Sequence, residues 1–171
     1  LITGGLRGLG LAVAQWLVSR GARRIALLGR SAARADQRAA IERLRARGAQ
    51  VLTLQTDVAD PQQVQQAIAT VERELGALSG AIHAAGLLDD AMLPGQDAAR
   101  FARALAPKTG GAWNLHVALR SRPGAILVLF SSVAALLGLP GQANYAAANA
   151  GLDALARWRV ARGARAISIN W

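Results

Sequence analysis

The sequence predicts an α/β fold: a doubly wound parallel sheet with helices on both of its faces. Three observations predict it. Short apolar runs recur along the chain, longer amphipathic segments lie between them, and the two kinds alternate from one end to the other. A short run that is apolar throughout suits a parallel strand buried on both faces. The hydrophobic content of 53% excludes a disordered chain, and 171 residues suit one domain with a sizeable core.

The first residues, Leu-Ile-Thr, read as the end of a strand. A helix should follow the next turn, with Leu9, Val13, Trp16 and Leu17 on its inner face. Strands are expected at 24–28 and 50–54. The next helix has a clear start, with Asp60 as N-cap and Pro61 in the first helical position. Its inner face carries Val64, Ile68, Val71 and Leu75. Gly21, Gly48 and Gly76 stand where helices should stop. A fourth strand at 80–84 leads into a loop over 86–98, rich in Gly, Pro and Asp. Pro107 interrupts the helical pattern of 99–119 and should end, kink or restart it. A strand at 125–130, a loop at 138–142, a helix through Tyr145 and a sixth strand at 166–170 complete the chain.

Composition narrows the chemistry. The net charge is +10, and all but one of the 20 basic residues are Arg; the rare residues are the single Lys108 and the single Tyr145. Such a balance fits nucleic acid, an acidic partner or an anionic ligand, or simply an Arg-rich chain. Nucleic acid is the weakest of these, because the Arg residues are scattered and aromatic stacking residues are sparse. With no Cys there is no disulfide, thiol nucleophile or thiolate metal site, and two isolated His make a zinc site an unfavoured reading, so no metal is expected. No apolar run approaches the ~18 residues of a membrane span. No signal-peptide pattern appears, so the expected location is cytoplasmic and no membrane partner is expected. Without an initiator Met, the chain reads as a segment of a larger protein.

Gly4, Gly8 and Gly10 give the spacing G-x-x-x-G-x-G between a strand end and an amphipathic helix. Glycine lets backbone N–H groups approach a pyrophosphate, and the helix N-terminus adds favourable partial charge. In this setting the turn reads as a Rossmann-type dinucleotide site. An NAD site usually has Asp or Glu after the second strand, about 20 residues past the glycines. Here that place holds Gly29, Arg30 and Ser31, and Arg7 lies within the glycine turn. Guanidinium groups and a hydroxyl suit a 2′-phosphate, so the expected cofactor is NADPH. Asp57 and Val58, after the third strand, could hold the adenine; an Asx turn is the competing reading of Asp57.

At the other end of the sheet, Ser131 and Ser132 follow the fifth strand, where ligands of open α/β sheets bind. Tyr145 and Asn149, four apart, share a helix face. A free Tyr titrates near ~10, and a cation within about 4–6 Å makes such a phenol a stronger acid toward an alkoxide. Lys108 is the only Lys able to supply that charge.

Taken in order, Thr-Gly-Gly-Leu-Arg-Gly-Leu-Gly, Gly-Arg-Ser, Thr-Asp-Val, His-Ala-Ala-Gly-Leu-Leu-Asp-Asp, Ala-Pro-Lys, Phe-Ser-Ser, Gly-Gln-Ala-Asn-Tyr-Ala-Ala-Ala-Asn and Ile-Asn-Trp span nearly the whole chain. The set resembles the short-chain dehydrogenase/reductase superfamily, and within it the ketoreductase domains of type I modular polyketide synthases. The resemblance implies NADPH-dependent reduction of a β-ketoacyl thioester borne on an acyl carrier protein, beside neighbouring synthase domains. It implies that Tyr145 donates the proton, that Ser132 binds the substrate carbonyl, and that Lys108 holds the nicotinamide ribose and strengthens Tyr145 as an acid. Asn149 completes the relay, Lys and Asn having exchanged the places they hold in most of the superfamily. The cofactor site is implied to comprise Thr3, Gly4, Gly5, Leu6, Arg7, Gly8, Leu9 and Gly10, with Arg30, Ser31, Asp57, Val58, Ala84, Ala85, Gly86, Tyr145 and Lys108.

Leu88, Asp89 and Asp90 resemble the loop motif of ketoreductases that yield a D-configured alcohol. Leu137 stands where the opposite type usually has Trp, Ala147 is not the Pro of the subtype acting on an epimerised α-substituent, and Gln142 is grouped with the stereocontrol residues. Arg7 replaces a Gly common in these domains. The family's lid helix, last strand and amino-terminal structural subdomain have no counterpart in the 171 residues, so the sheet is expected to be truncated after its sixth strand and the domain incomplete at both ends. A free-standing carbonyl reductase and an inactive domain of the same fold share these motifs and stay open on sequence alone. His83 is expected to pack rather than catalyse, His116 to lie on a helix face, and the four Trp to pack in the core or at its edges.

Overall fold

A computed structural model describes all of residues 1–171. Six parallel strands form one sheet: β1 (Ile2–Thr3), β2 (Arg24–Gly29), β3 (Gln50–Gln55), β4 (Gly80–His83), β5 (Ile126–Phe130) and β6 (Ala166–Ile169), ordered β3-β2-β1-β4-β5-β6. Ile2 of β1 lies between Leu27 of β2 and Ile82 of β4. Strand order therefore reverses between β1 and β4, and a crevice opens at the carboxyl ends of those two strands. This is the Rossmann-type α/β sheet that the alternating pattern predicts.

Two helices cover one face: α1 (Gly8–Ser19) and α2 (Ala35–Ala46), whose Val18, Ile41 and Leu44 pack on Ile2 and Leu27. On the other face, α3 (Pro61–Leu75), α5 (Gly111–Leu119) and α7 (Ala143–Val160) bring Val64, Ile68, Leu115 and Leu152 onto Leu127 and Leu129 of β5. These buried aliphatic side chains supply most of the driving force, at about 1.5–3 kcal/mol each. Helix α3 starts as expected, with the Asp60 carboxylate accepting the N–H groups of Gln62 and Gln63. No helix is long and apolar enough to cross a membrane.

One expectation needs correction, and three are made more definite. In α1 the buried stripe is Gly10, Ala14 and Val18, while Trp16 is 56% exposed. The small residues face the sheet because the helix starts pressed against the glycine turn, which leaves no room for an indole. The other Trp are exposed too, between 37% for Trp158 and 63% for Trp171, so of the two placements expected of them none takes the core. His116 lies on the buried face of α5. The segment 99–119 is two helices, α4 (Ala98–Leu105) and α5, joined by a π-helical turn over Ala106–Gly110, so the interruption expected at Pro107 is a restart. Pro107 has no N–H to continue the regular ladder, so the turn widens there and Lys108 points inward. A short helix, α6 (Ala134–Leu137), also follows the Ser131–Ser132 pair, where the sequence pattern announces none.

Candidate active site

A cavity of about 510 Å³ occupies the crevice. Within the glycine turn, Thr3, Gly4, Leu6, Arg7, Gly8, Leu9 and Gly10 line it. Arg30, Ser31, Asp57, Val58, Ala84, Ala85 and Gly86 supply further walls. Gly5 is the exception among the predicted glycines. It faces away from the cavity, its N–H bonded to the Leu28 carbonyl at 3.1 Å, and it seats the turn on β2. Gly4 has φ of +66°, and a Cβ there would meet the Ala84 carbonyl oxygen at 2.8 Å; a Cβ on Gly10 would collide with the carbonyl oxygen of Gly4. The turn is thus packed tightly enough to hold the N-terminus of α1 against the cavity, with no acidic residue in its first turn to repel an anion.

Arg7 and Arg30 are exposed and enter no ion pair within the chain. Asp57 is the only carboxylate in the lining, and its Oδ1 accepts the Ala59 N–H at 3.0 Å, forming an Asx turn at the cavity wall. The Asx turn and a place in the cavity wall therefore coexist at Asp57. A narrow glycine turn, a helix N-terminus and two unpaired guanidinium groups fit a dinucleotide with an additional phosphate.

Beyond Pro107, which lines one end of the cavity, the predicted catalytic side chains come together. Lys108 is 5% exposed. Its Nζ donates to Asn149 Oδ1 at 2.7 Å and to the Phe130 carbonyl at 2.8 Å, and lies 5.3 Å from the Tyr145 ring centroid. A Cβ on Gly86 would meet Lys108 Cε at 2.9 Å, so that glycine makes room for the lysine stem. Burial lowers the Lys108 ammonium to about 8, against a raising influence from the Asp153 carboxylate. Asn149 is fully buried; its Nδ2 donates to the Tyr145 carbonyl at 2.8 Å. The Ser132 hydroxyl accepts the Ala134 N–H at 3.2 Å, which leaves its own proton free to be donated.

Several working residues escape the sequence pattern. Asp153 is four beyond Asn149, so Tyr145, Asn149 and Asp153 share a face of α7; this i, i+4, i+8 spacing was the available signal. Asn170 lies in the Ile-Asn-Trp run. Its Nδ2 donates to Asp153 Oδ2 at 2.9 Å, to the Ser132 carbonyl at 3.0 Å and to Ser131 Oγ at 3.2 Å. Asp153 and Asn170 thereby brace the strand end that presents Ser132. His83 is fully buried between Thr3 and the lysine turn: Nδ1 meets Thr3 Oγ1 at 2.7 Å and Nε2 donates to the Lys108 carbonyl at 2.9 Å. Burial, and then the Lys108 charge, lower its imidazole to about 4, so it is neutral and structural, as expected.

The residues grouped for stereocontrol lie outside the cavity lining. Asp89 is held by Arg100 and, at 2.6 Å, by Arg103, while its carbonyl accepts from Asn144 Nδ2 at 2.8 Å. Asp90 accepts from Gln142 Nε2 at 2.9 Å, which ties the loop after β4 to the loop before α7. Leu88 and Leu137 are 60% and 78% exposed. Asn144, fully buried beside Tyr145, connects this cluster to the start of the catalytic helix through its Oδ1, which accepts the Tyr145 N–H at 2.8 Å.

The model of the KR domain family matches residues 1–171, the whole chain. The chain belongs to the KR domain family. Ketoreductase domains of polyketide synthases are oxidoreductases that reduce ketones with a nicotinamide cofactor, which agrees with the geometry above. The KR domain is 41% identical over 171 residues to a phenolphthiocerol/phthiocerol polyketide synthase of Mycobacterium tuberculosis, covering all of this chain and 8% of that protein. It superimposes on the ketoreductase from the first module of phoslactomycin biosynthesis in Streptomyces sp. HK803 with a TM-score of 0.92, at 39% identity over 99% of this chain and 40% of that one. An A1-type ketoreductase gives a TM-score of 0.93 at 33% identity, over 99% of this chain and 36% of that one. The KR domain thus spans well under half the length of these relatives.

Proposed function

We propose that this chain reduces a β-ketoacyl thioester, carried by an acyl carrier protein, to the β-hydroxyacyl thioester with NADPH, inside a multidomain polyketide synthase. The observation that carries the reading is a buried Lys108, bonded to Asn149 and 5.3 Å from the Tyr145 ring, beside a cavity lined by a glycine turn and two unpaired Arg residues. The nicotinamide, when bound, supplies hydride to the β-carbon. Ser132 donates its free hydroxyl proton as a hydrogen bond to the β-carbonyl oxygen and orients it. As the carbon gains hydride, that oxygen takes the phenolic proton of Tyr145 and becomes the alcohol. Lys108 holds the nicotinamide ribose with its ammonium, whose remaining donor capacity is not used by Asn149 and Phe130. Arg7 and Arg30 take the 2′-phosphate. The mycobacterial relative, a synthase of which the matched stretch is only 8%, supports the placement among carrier and other synthase domains.

The alcohol is proposed to be D-configured. Support comes from the Leu88–Asp90 run, which the Asp89 and Asp90 contacts hold beside the catalytic helix. In the intact protein, Tyr145→Phe should abolish NADPH oxidation with a β-ketoacyl thioester while NADPH still binds. Retained turnover would overturn the mechanism. Chiral analysis of the wild-type product tests the configuration, and an L-alcohol would overturn the role given to Leu88–Asp90.

A further inference from the structure

Of the ten acidic side chains in the sequence, only Asp153 is buried. It lies one turn beyond Asn149 on the catalytic face of α7. Its carboxylate enters no ion pair. Oδ1 accepts from the Ser168 hydroxyl of β6 and Oδ2 from Asn170 Nδ2, both neutral donors. Lys108 is the opposite case. Its ammonium is buried too, and the acceptors that hold it, Asn149 Oδ1 and the Phe130 carbonyl, carry no net charge. A buried ion without a counter-ion is costly, and two of opposite sign offset one another where little water screens them.

A chain of polar protein groups links these two charges. Asn170 Nδ2 also donates to Ser131 Oγ at 3.2 Å, and the Ser131 hydroxyl donates to the Asn149 carbonyl at 3.2 Å. Asn149 in turn accepts from Lys108 Nζ at 2.7 Å. Ser131 and Asn149 are fully buried. No other ionisable group replaces Asp153. The His83 ring under the lysine turn is neutral, Asp57 is committed to its Asx turn, and Asp89 is held by Arg100 and Arg103. Tyr145 brings a phenol, not a carboxylate. On the outer side of Asp153, Arg157 is exposed and makes no ion pair with it. The Asp153 charge raises Lys108 against the effect of burial.

We propose that Asp153 is a positioning residue of the reductase site: its carboxylate is the counter-charge that keeps the Lys108 ammonium protonated without touching it, a role that rests on the reductase reading above. The separation matters chemically. A carboxylate in contact with Nζ would take up the donor that the nicotinamide ribose needs and cancel the field felt by the Tyr145 phenol. A carboxylate set back behind Ser131 and Asn149 favours the ammonium and leaves that donor free. One side chain thus braces the strand end that presents Ser132 and supports the charge beside Tyr145.

Trace acetylation of the intact protein tests it. Lysine reacts with acetic anhydride only as the free amine, so the yield on the peptide spanning Lys108, followed by mass spectrometry against pH, gives the midpoint of its ammonium. Asp153→Asn keeps the size and can keep both hydrogen bonds while losing the charge. Its midpoint should fall by about one pH unit, the low end of what an opposite charge confers. The alkaline limb of kcat should move down with it, so that turnover at pH 8, scaled to each protein's acid plateau, is about fivefold below wild type. Asp153→Glu keeps the charge and should keep the midpoint. Asn170→Ala breaks the link but leaves the carboxylate, so it should lower the plateau through Ser132 with the limb in place. An unmoved midpoint in Asp153→Asn, an equal fall in Asp153→Glu, or an equal shift in Asn170→Ala would each overturn the role. An unfolded Asn variant reads in the other direction, because an exposed Lys108 titrates toward 10.5, and the Glu variant then decides. The labelling needs neither NADPH nor substrate. A midpoint that falls in a protein without ketoreductase turnover keeps the counter-charge and loses the reductase reading, whereas an unmoved midpoint in an active protein loses the counter-charge alone.

Discussion

The two halves of the crevice are built by opposite means. On the β1–β3 side, the cavity is shaped by backbone, and two of its charged side chains, Arg7 and Arg30, are left free. On the β4–β6 side, side chains are committed to one another and to backbone: Lys108 to Asn149 and the Phe130 carbonyl, Asn149 to the Tyr145 carbonyl, and Asn170 to Asp153, Ser131 and the Ser132 carbonyl. The difference teaches where tolerance lies. A free surface cation can be lost with only its own ligand contact. A buried, bonded cation cannot be lost without stranding its partners, which is the costlier event.

The largest effect is therefore expected on the committed side. Lys108→Met removes the donor to Asn149 and Phe130 and leaves two buried acceptors unpaired. Turnover at saturating NADPH should fall by about 10²-fold or more, the scale of losing a positioned proton-transfer group. In the wild type the loss should also be visible without mutation: kcat should decline as pH rises through about 8, where the Lys108 ammonium gives up its proton. A pH profile flat through that range would show that the charge is not used.

A smaller and more selective effect is expected on the open side. Arg30→Ala should raise KM for NADPH about tenfold, the worth of one charge-assisted hydrogen bond. KM for NADH and kcat should stay as they are, because the chemical half is untouched. Equal losses for both cofactors would mean that Arg30 supports the turn rather than the 2′-phosphate.

The contrast also explains what could be read in the sequence. The glycine turn is legible because a strand, a tight turn and a helix are local features. Tyr145, Asn149 and Ser132 are legible from spacing and order. Lys108 is placed by family resemblance, since periodicity does not encode a π-helical turn at Pro107, and that turn is what aims the lysine inward. Asp153 and Asn170 act through contacts between α7 and the end of β6, which no local pattern announces. Helix faces mislead where size is taken for burial: the pattern points Trp16 inward, yet the close approach of α1 to the sheet favours Gly10 and Ala14. Arg159 is the reverse case, a long charged side chain buried where composition suggests a surface.

His83 sits on the seam between the two halves, and the smallest predicted effect concerns it. Its neutral ring bridges Thr3 of β1 and the Lys108 carbonyl, so it joins the floor of the cofactor cavity to the turn that carries the lysine. The Nε2–H donates to the carbonyl, and Nδ1 then accepts from the Thr3 hydroxyl. The imidazole titrates near 4 when folded and near 6.5 in the unfolded chain. Between those values the unfolded state binds more protons, so folding stability rises with pH across the window and is lost as pH falls from 6.5 toward 4. His83→Gln should be less stable than wild type at pH 7, with a gap that narrows on acidification because Gln has no proton to take up. Urea unfolding of both proteins at several pH values measures the gap. A gap that stays constant between pH 6.5 and 4 would show that the seam is not held by a neutral imidazole, and the two halves would then be coupled only through the β1–β4 ladder.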